Sequence, residues 1–122
     1  MFTISVEQSF DAAHSLRNYG GKCEAMHGHT FRAVVTIKAT KLNDIGLAYD
    51  FTILKKHLNE ILAAFDHHNL NEVPPFDKIN PSSENLAVEI FNRIKLKLSK
   101  ESVSMDSVEV WESTTSRVIY KP

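Results

Sequence analysis

Two segments of the chain, residues 2–10 and 29–40, alternate apolar and polar side chains. Because successive side chains of a β-strand point to opposite faces, an alternation of period two predicts half-buried strands. In the second segment, four apolar side chains share one face: Phe31, Ala33, Val35 and Ile37. Residues 11–28 follow neither a strand period nor a helix period, so we expect a loop that joins an antiparallel pair.

Two later segments carry apolar residues spaced at three and four, which indicates amphipathic helices. Asp50 is expected to cap the first helix. Its apolar face comprises Phe51, Leu54, Leu58, Ile61, Leu62 and Phe65. Ser82 or Ser83 is expected to cap the second helix. Its apolar face comprises Leu86, Ala87, Ile90, Phe91, Ile94 and Leu98. The prolines and asparagines of residues 66–82 predict a loop between the helices.

Residues 105–111 and 115–120 resume the alternation and predict two final strands. The order strand, strand, helix, helix, strand, strand (ββααββ) predicts an α+β fold, a four-stranded antiparallel sheet with two helices on one face. The chain has 122 residues, 43% of them hydrophobic and 24% charged, which is ordinary globular composition. No repeat or boundary interrupts residues 1–122, so we expect a single domain.

Charge and hydropathy narrow the classes of partner. The formal net charge is -1 with neutral histidines, so no global basic field favours nucleic acid. No apolar run reaches the roughly 20 residues of a membrane span, and the N-terminus lacks a signal-peptide pattern. The single cysteine cannot form an intrachain disulfide. We therefore expect a cytoplasmic protein that binds neither membranes nor nucleic acid.

The motif His27-Gly28-His29 lies where the predicted loop becomes the second strand. Residues i and i+2 of a strand point to the same face, so both imidazoles can reach one ion. His14 follows the first strand and reaches the same point if the two strands pair. Three neutral imidazoles leave the fourth position of a tetrahedral zinc ion open, as a catalytic site requires. The alternative is three unrelated surface or core histidines.

Cys23 lies four residues before His27 in a polar loop. A thiol beside a metal or a histidine loses its proton more readily, so Cys23 is a candidate base or nucleophile. It is also a candidate fourth zinc ligand, which would make the site structural, or a small buried residue. These roles stay open at the level of the sequence.

Three acidic or imidazole side chains elsewhere are further candidates. Asp66 and His67 are adjacent, just past the first predicted helix, and such a pair can relay protons because the carboxylate raises the basicity of the imidazole. The alternative is a helix-terminus motif in which a histidine compensates the helix dipole. Glu112 ends a predicted strand, where its carboxylate can grip a guanidine-like edge with two hydrogen bonds or remain exposed.

These residues belong to five short motifs that follow one another along the chain. The motifs are Phe10-Asp11-Ala12-Ala13-His14, the segment 23–29, the segment 65–71, Pro81-Ser82-Ser83-Glu84-Asn85 and Val110-Trp111-Glu112-Ser113. Together they resemble the 6-pyruvoyltetrahydropterin synthase family over nearly the whole chain. The resemblance implies the tunnelling fold, in which subunits join their sheets into a barrel with helices outside. It also implies a homo-hexamer of two trimers, with active sites at subunit interfaces.

The resemblance also implies roles for individual residues. The implied zinc ligands are His14, His27 and His29. The implied catalytic residues are Cys23 as general base, Asp66 and His67 as its partner relay, and Glu112. The implied substrate-binding residues are Glu112, which would anchor the pterin ring, Ser83 and Glu84. The family substrate is 7,8-dihydroneopterin triphosphate, and Arg17 and Lys22 are candidate cations for its phosphates, with plain surface charge as the alternative.

The interval between Cys23 and His27 separates subtypes of the family. Three residues intervene here, which resembles the bacterial 6-carboxytetrahydropterin synthases of the queuosine pathway more than the animal-type pyruvoyl synthases. The implied lyase reaction yields 6-carboxy-5,6,7,8-tetrahydropterin with loss of acetaldehyde and triphosphate.

Two alternatives to this reaction stay open. Glu24 begins a Glu-x-x-His-Gly-His pattern, which resembles a third subtype whose glutamate base forms the hydroxymethyl precursor of folate. A bifunctional enzyme therefore fits, as does a 6-pyruvoyltetrahydropterin synthase. An alternative of another class is a non-catalytic zinc- or pterin-binding module with Cys23 as the fourth ligand.

Overall fold

The computed structural model describes residues 1–21 and 24–122. Its strands are β1 (Phe2–His14), β2 (His27–Ala39), β3 (His68–Asn69), β4 (Ser104–Trp111) and β5 (Arg117–Tyr120). Its α-helices are α1 (Phe51–Leu62) and α2 (Ser83–Lys97), and a 3-10 turn spans Leu70–Glu72. No helix within the described residues is long and apolar enough to cross a membrane.

The described strands form one five-stranded sheet in the order β3-β1-β2-β4-β5. Neighbouring strands are antiparallel except β3, which runs parallel to β1. The α+β class is therefore confirmed, whereas the predicted count of four strands omits β3. That strand has only two residues, which pair with Ala12 and Ala13, and a two-residue strand is too short to show any periodicity.

β1 and β2 extend further into the predicted loop than the alternation indicates. Both strands have 13 residues, and they pair along their full length, from Phe2 opposite Ala39 to His14 opposite His27. The predicted loop 11–28 is wrong at both ends for this reason. Small residues such as Ala12, Ala13 and Gly28 weaken the apolar contrast, while the backbone ladder continues regardless of side chain.

Both helices pack on one face of the sheet, as predicted. The apolar face of β2 from Phe31 to Ile37 is fully buried beneath them, and so is the face of α2 that includes Leu86 and Ile90. Phe51 is the exception within the predicted face of α1, since 58% of its surface is exposed. Side chains of a helix cover the turn that precedes them, and no turn precedes the first residue of α1.

The predicted helix caps are both present. The Asp50 carboxylate accepts a hydrogen bond from the Thr52 backbone N–H at 2.8 Å, and the Ser82 hydroxyl accepts one from the Asn85 N–H at 3.1 Å. Each bond satisfies one of the free donors at a helix N-terminus. The cap at Ser82 matters for the site, because it fixes where the chain turns from residue 81 into α2.

Candidate active site

The ladder between β1 and β2 brings three histidines together. His14 lies directly opposite His27, and His29 lies opposite Ala12, so all three imidazoles project from the same face. The ring centroids are 4.6 Å apart for His14 and His27, 5.2 Å for His14 and His29, and 4.8 Å for His27 and His29. The three side chains form one compact cluster at the end of the sheet.

The cluster sits at the edge of the hydrophobic core. Phe31 is fully buried, and its ring centroid is 5.3 Å from that of His14 and 5.5 Å from that of His29. The rings meet edge to face, an arrangement that fixes the imidazole planes. The apolar floor also keeps water from one side of the cluster.

Two of the imidazoles are oriented by backbone carbonyls. The Nδ1 atom of His14 is 2.7 Å from the carbonyl oxygen of Pro81, and the Nδ1 atom of His27 is 2.8 Å from that of Ala25. A carbonyl oxygen can only accept, so Nδ1 donates in both rings. In a neutral ring the lone pair is then on Nε2, which is the arrangement usual for a metal-ligating histidine.

The Nε2 atoms of His14 and His29 are buried and have no hydrogen-bond partner within the described residues. His14 is only 1% exposed, and its burial lowers the pKa of its imidazole below the usual value, so the ring is neutral at pH 7. A buried polar atom without a partner is costly and calls for an explanation. A metal ion between the rings supplies one, and the residues present fit such an ion.

Glu112, the residue that follows β4, completes the cluster. Its Oε1 atom is 3.1 Å from His29 Nε2, close enough for an ion pair. The two groups are not oriented for a hydrogen bond. Its Oε2 atom accepts a hydrogen bond of 3.1 Å from the hydroxyl of Ser83. The candidate ligand atoms of Glu112 and the three histidines all lie within 4.8 Å of one another, so this group can hold a metal ion.

The position of Glu112 beside the histidines is not evident from the sequence motifs alone. A signal for it exists, because Glu112 continues the buried alternation of Val108 and Val110 on the strand beside β2. Glu112 also lines a pocket of about 180 Å³. Ser83 and Glu84 line the same pocket, together with Ser116, Arg117 and Val118. The three residues expected to contact substrate are therefore brought to one opening.

Asp66 and His67 form a second cluster with Asp11, separate from the histidines of the sheet. The Nδ1 atom of His67 is 3.0 Å from Asp66 Oδ1, which also accepts the Asp11 backbone N–H at 2.9 Å. That backbone hydrogen bond is the main cause of a lowered Asp66 pKa, and His67 adds to it. His67 has a left-handed backbone with φ of 59°, and 77% of its side chain is exposed.

The second cluster lines a cleft of about 580 Å³. Asp11 and His67 line it together with Gly28 and His29 of β2. Asp11 alternates with the buried residues of β1, so its side chain lies on the face of the sheet that the helices leave open. Asp66 and His67 thus offer a proton-transfer pair on the side of the sheet opposite the imidazole cluster.

The remaining candidates from the sequence all lie between the end of β1 and the start of β2. Arg17 donates its guanidinium hydrogens to the backbone carbonyls of Asn71, Phe76 and Ile79. Because these three carbonyls accept its hydrogens, the guanidinium of Arg17 is bound within the protein, which argues against both of its candidate roles, a phosphate ligand and a plain surface charge. Lys22 and Cys23 lie outside the described residues. Glu24 is exposed, and its carboxylate accepts a hydrogen bond from the Gly20 N–H at 3.0 Å.

Comparison with known proteins identifies relatives over almost the entire chain. A protein of Synechocystis named 6-carboxy-5,6,7,8-tetrahydropterin synthase is 37% identical, with 98% of this chain and 93% of that protein covered. A Pyrococcus furiosus protein named dihydroneopterin monophosphate aldolase is 35% identical, with 89% and 88% covered. The solved structure of Caenorhabditis elegans 6-pyruvoyl tetrahydropterin synthase superposes with a TM-score of 0.88 at 29% identity, covering 99% of this chain and 95% of that one.

The structural match confirms the tunnelling fold expected from the sequence motifs. The sequence profile of the family described as 6-pyruvoyl tetrahydropterin synthase matches residues 3–122. By both sequence and fold, the chain belongs to the 6-pyruvoyl tetrahydropterin synthase family.

Proposed function

We propose that this chain is a zinc-dependent lyase that converts 7,8-dihydroneopterin triphosphate and one water molecule to 6-carboxy-5,6,7,8-tetrahydropterin, acetaldehyde and triphosphate. The observation that carries the proposal is the cluster of His14, His27 and His29, in which two buried Nε2 atoms have no partner among the described residues. Its support is the set of nearly full-length relatives named 6-carboxy-5,6,7,8-tetrahydropterin synthase.

Zinc suits the donor set better than magnesium or calcium do. Imidazole nitrogen is a favoured zinc ligand, whereas magnesium and calcium prefer oxygen ligands. His14, His27 and His29 would hold the zinc ion, and the bound ion would supply Lewis-acid chemistry to a substrate oxygen at the remaining position. The carbonyls of Pro81 and Ala25 keep His14 and His27 in the tautomer that presents Nε2.

The pterin ring is proposed to bind at Glu112. A carboxylate can accept two parallel hydrogen bonds from the amino-pyrimidine edge of a pterin. The bond from Ser83 to Glu112 Oε2 holds the carboxylate at the mouth of the pocket that it shares with Glu84. Ser83 is therefore proposed to orient Glu112, and Glu84 to contact the ring from the exposed side.

Proton transfer is proposed to fall to Cys23 and to the pair of Asp66 and His67. A thiolate is a competent base when a neighbouring positive charge lowers the pKa of its thiol. Asp66 accepts hydrogen bonds from the Asp11 N–H and from His67, so it stays ionised and holds His67 in one orientation. The imidazole of His67 then has its Nε2 atom free to exchange a proton with substrate.

Because Asp66 and His67 lie apart from the metal cluster of their own chain, we propose that a second subunit completes each active site. A homo-hexamer of two trimers, as in the family barrel, would supply such interfaces. The test is to mix two inactive variants, Cys23→Ala and His67→Ala, after dissociation and reassembly. Activity regained in the mixture supports shared sites, whereas mixtures as inactive as either variant argue for sites contained within one chain.

The reaction is tested by identifying the product. The purified protein is incubated with 7,8-dihydroneopterin triphosphate, and the pterins are separated and analysed by mass spectrometry. We expect 6-carboxy-5,6,7,8-tetrahydropterin and acetaldehyde as the products of this incubation. A 6-pyruvoyl product, or no conversion, would contradict it. We further propose that the reaction serves the queuosine pathway in the cytoplasm.

A second candidate is a bifunctional enzyme that also forms 6-hydroxymethyl-dihydropterin. The observation that favours it is the 35% identity to the Pyrococcus furiosus aldolase, together with Glu24 beside the metal motif. Glu24→Gln separates the two candidates. If Glu24→Gln loses the hydroxymethyl product but keeps the carboxylated product, the enzyme is bifunctional. If the unmodified protein forms no hydroxymethyl product, Glu24 has only the structural role of accepting the Gly20 N–H.

A further inference from the structure

The chain beyond His14 is tied to the loop before α2 by two asparagine side chains that act in the same way. Asn71 Oδ1 accepts the Ser15 N–H at 2.9 Å, and its Nδ2 donates to the Ser15 carbonyl at 3.0 Å. Asn80 does the same for Arg17, again at 2.9 Å and 3.0 Å. Each amide thus binds both backbone groups of one residue, as a neighbouring strand would.

The guanidinium of Arg17 strengthens this connection. It donates to the carbonyls of Phe76 at 2.7 Å, Ile79 at 3.1 Å and Asn71 at 3.3 Å. Hydrogen bonds from a charged donor are stronger than neutral ones. We call these residues, Arg17, Asn71 and Asn80, the clasp. It holds residues 71–80 against the three residues that follow β1.

The clasp ends at the carbonyl group that orients His14. Pro81 is buried and follows Asn80 directly, and its carbonyl oxygen is 2.7 Å from His14 Nδ1. Proline has no N–H, so its peptide is held through its neighbours. On one side the Asn80 carbonyl accepts the Asn85 side-chain amide at 2.8 Å, and on the other Ser82 caps α2.

We propose that Asn80 is a positioning residue for the metal centre. By fixing the loop at Arg17, Asn80 holds the Pro81 carbonyl against His14 Nδ1, and this contact keeps the Nε2 lone pair of His14 directed toward the metal site. The inference rests on the metal site of the proposed function. It requires nothing of the pterin chemistry. Outer partners of metal-ligating histidines are commonly worth about 10–100-fold in metal affinity, and Asn80 acts one step further out.

The test uses cobalt(II) as a spectroscopic substitute for zinc, on the full chain. Asn80→Ala removes both bonds to Arg17, and Asn80→Asp retains an acceptor for the Arg17 N–H but loses the donor. Asn92→Ala is the control, since Asn92 is exposed on α2. Affinity is measured by competition with a chelator, ligand geometry by the cobalt absorption bands, and stability by thermal unfolding of the metal-free proteins.

We expect Asn80→Ala to weaken cobalt binding about 10-fold, the low end of the range for direct outer partners, and to change the absorption bands, with Asn80→Asp intermediate and Asn92→Ala unchanged. Unchanged affinity and bands in Asn80→Ala would overturn the proposal, even if its thermal stability falls. If Asn80→Ala does not fold, Asn85→Ala decides by the same measurements, because it removes only the bond to the Asn80 carbonyl. Failure of the unmodified protein to bind cobalt would instead refute the metal centre itself.

Discussion

His14 and His27 lie directly opposite each other on β1 and β2, with ring centroids 4.6 Å apart. Each donates Nδ1–H to a backbone carbonyl, of Pro81 and Ala25 respectively, so both present Nε2 toward the shared space. The two carbonyls fix the tautomer and the orientation of both rings, as outer partners of metal-ligating histidines commonly do.

Removal of one imidazole is expected to abolish tight metal binding without unfolding the chain. His29→Ala deletes a partly buried ring whose buried Nε2 atom has no hydrogen-bond partner among the described residues, so the loss to folding is small compared with the loss of a ligand. Zinc content by elemental analysis should fall to background, with an affinity loss beyond the roughly 100-fold of outer-partner changes. His57→Gln, on α1, is the matched control and should retain its zinc.

Cys23 is expected to act in chemistry and not in metal binding. Cys23→Ala should nearly abolish formation of the carboxylated product while the zinc content stays normal, because three imidazoles already complete the protein ligand set. Elemental analysis and product mass spectrometry on the same sample check both statements. A parallel loss of zinc would make Cys23 a fourth ligand and the site structural.

Phe31 links the hydrophobic core to the cluster of three histidines. It is fully buried and stacks on Phe10 with ring centroids 5.1 Å apart, while its edges meet His14 and His29. Phe31→Ala should lower the free energy of unfolding by about 3–5 kcal/mol, measured by urea denaturation. It should also weaken zinc binding, because the imidazoles lose their floor. Phe51→Ala, at a side chain that is 58% exposed, should change neither quantity appreciably.

Asp106 is expected to make part of the stability depend on pH. Its hydrogen bond with Lys38, the main cause, lowers the pKa of its carboxyl group in the folded state. A lowered carboxyl pKa contributes stability that is fully present above the unfolded value of about 3.9 and is lost as pH falls through the folded value. Asp106→Asn should therefore cost about 0.2–1 kcal/mol at pH 7 and progressively less below pH of about 4.

Urea denaturation of both proteins across this pH range checks the prediction for Asp106. Asp44→Asn, in an exposed turn, is the control and should leave the free energy of unfolding unchanged at pH 7. A cost at Asp106 that persists undiminished below the folded pKa would show that the charge is not its source.

Much of the histidine cluster could be predicted from the sequence. Strand alternation alone aligns His27 with His29, and pairing of the two strands brings His14 to them. The Pro81 carbonyl could not be predicted in the same way, because it lies 67 residues from His14 and carries no side-chain signature. Long-range partners of this kind depend on tertiary packing, which periodicity does not report.

The sequence also carries no indication of β3 or of the contacts of Arg17, because both depend on long-range packing. β3 exists because the chain after Phe65 passes beside β1, where the His67 N–H bonds the Asp11 carbonyl at 2.6 Å. Its two residues carry no local propensity that would indicate a strand. Arg17 similarly resembles a free surface cation in the sequence, yet three backbone carbonyls of a loop more than fifty residues away accept its hydrogens.

Stoichiometric zinc reconstitution tests whether one metal ion at the three histidines is required for the lyase reaction. Metal-free protein is titrated with zinc, and formation of 6-carboxy-5,6,7,8-tetrahydropterin from 7,8-dihydroneopterin triphosphate is followed at each addition. We expect no turnover without metal, then a linear rise with a break at about one zinc per chain, as a single three-histidine site requires. Full turnover by the metal-free protein, or saturation with zinc without any carboxylated product, would refute a zinc-dependent reaction at this site.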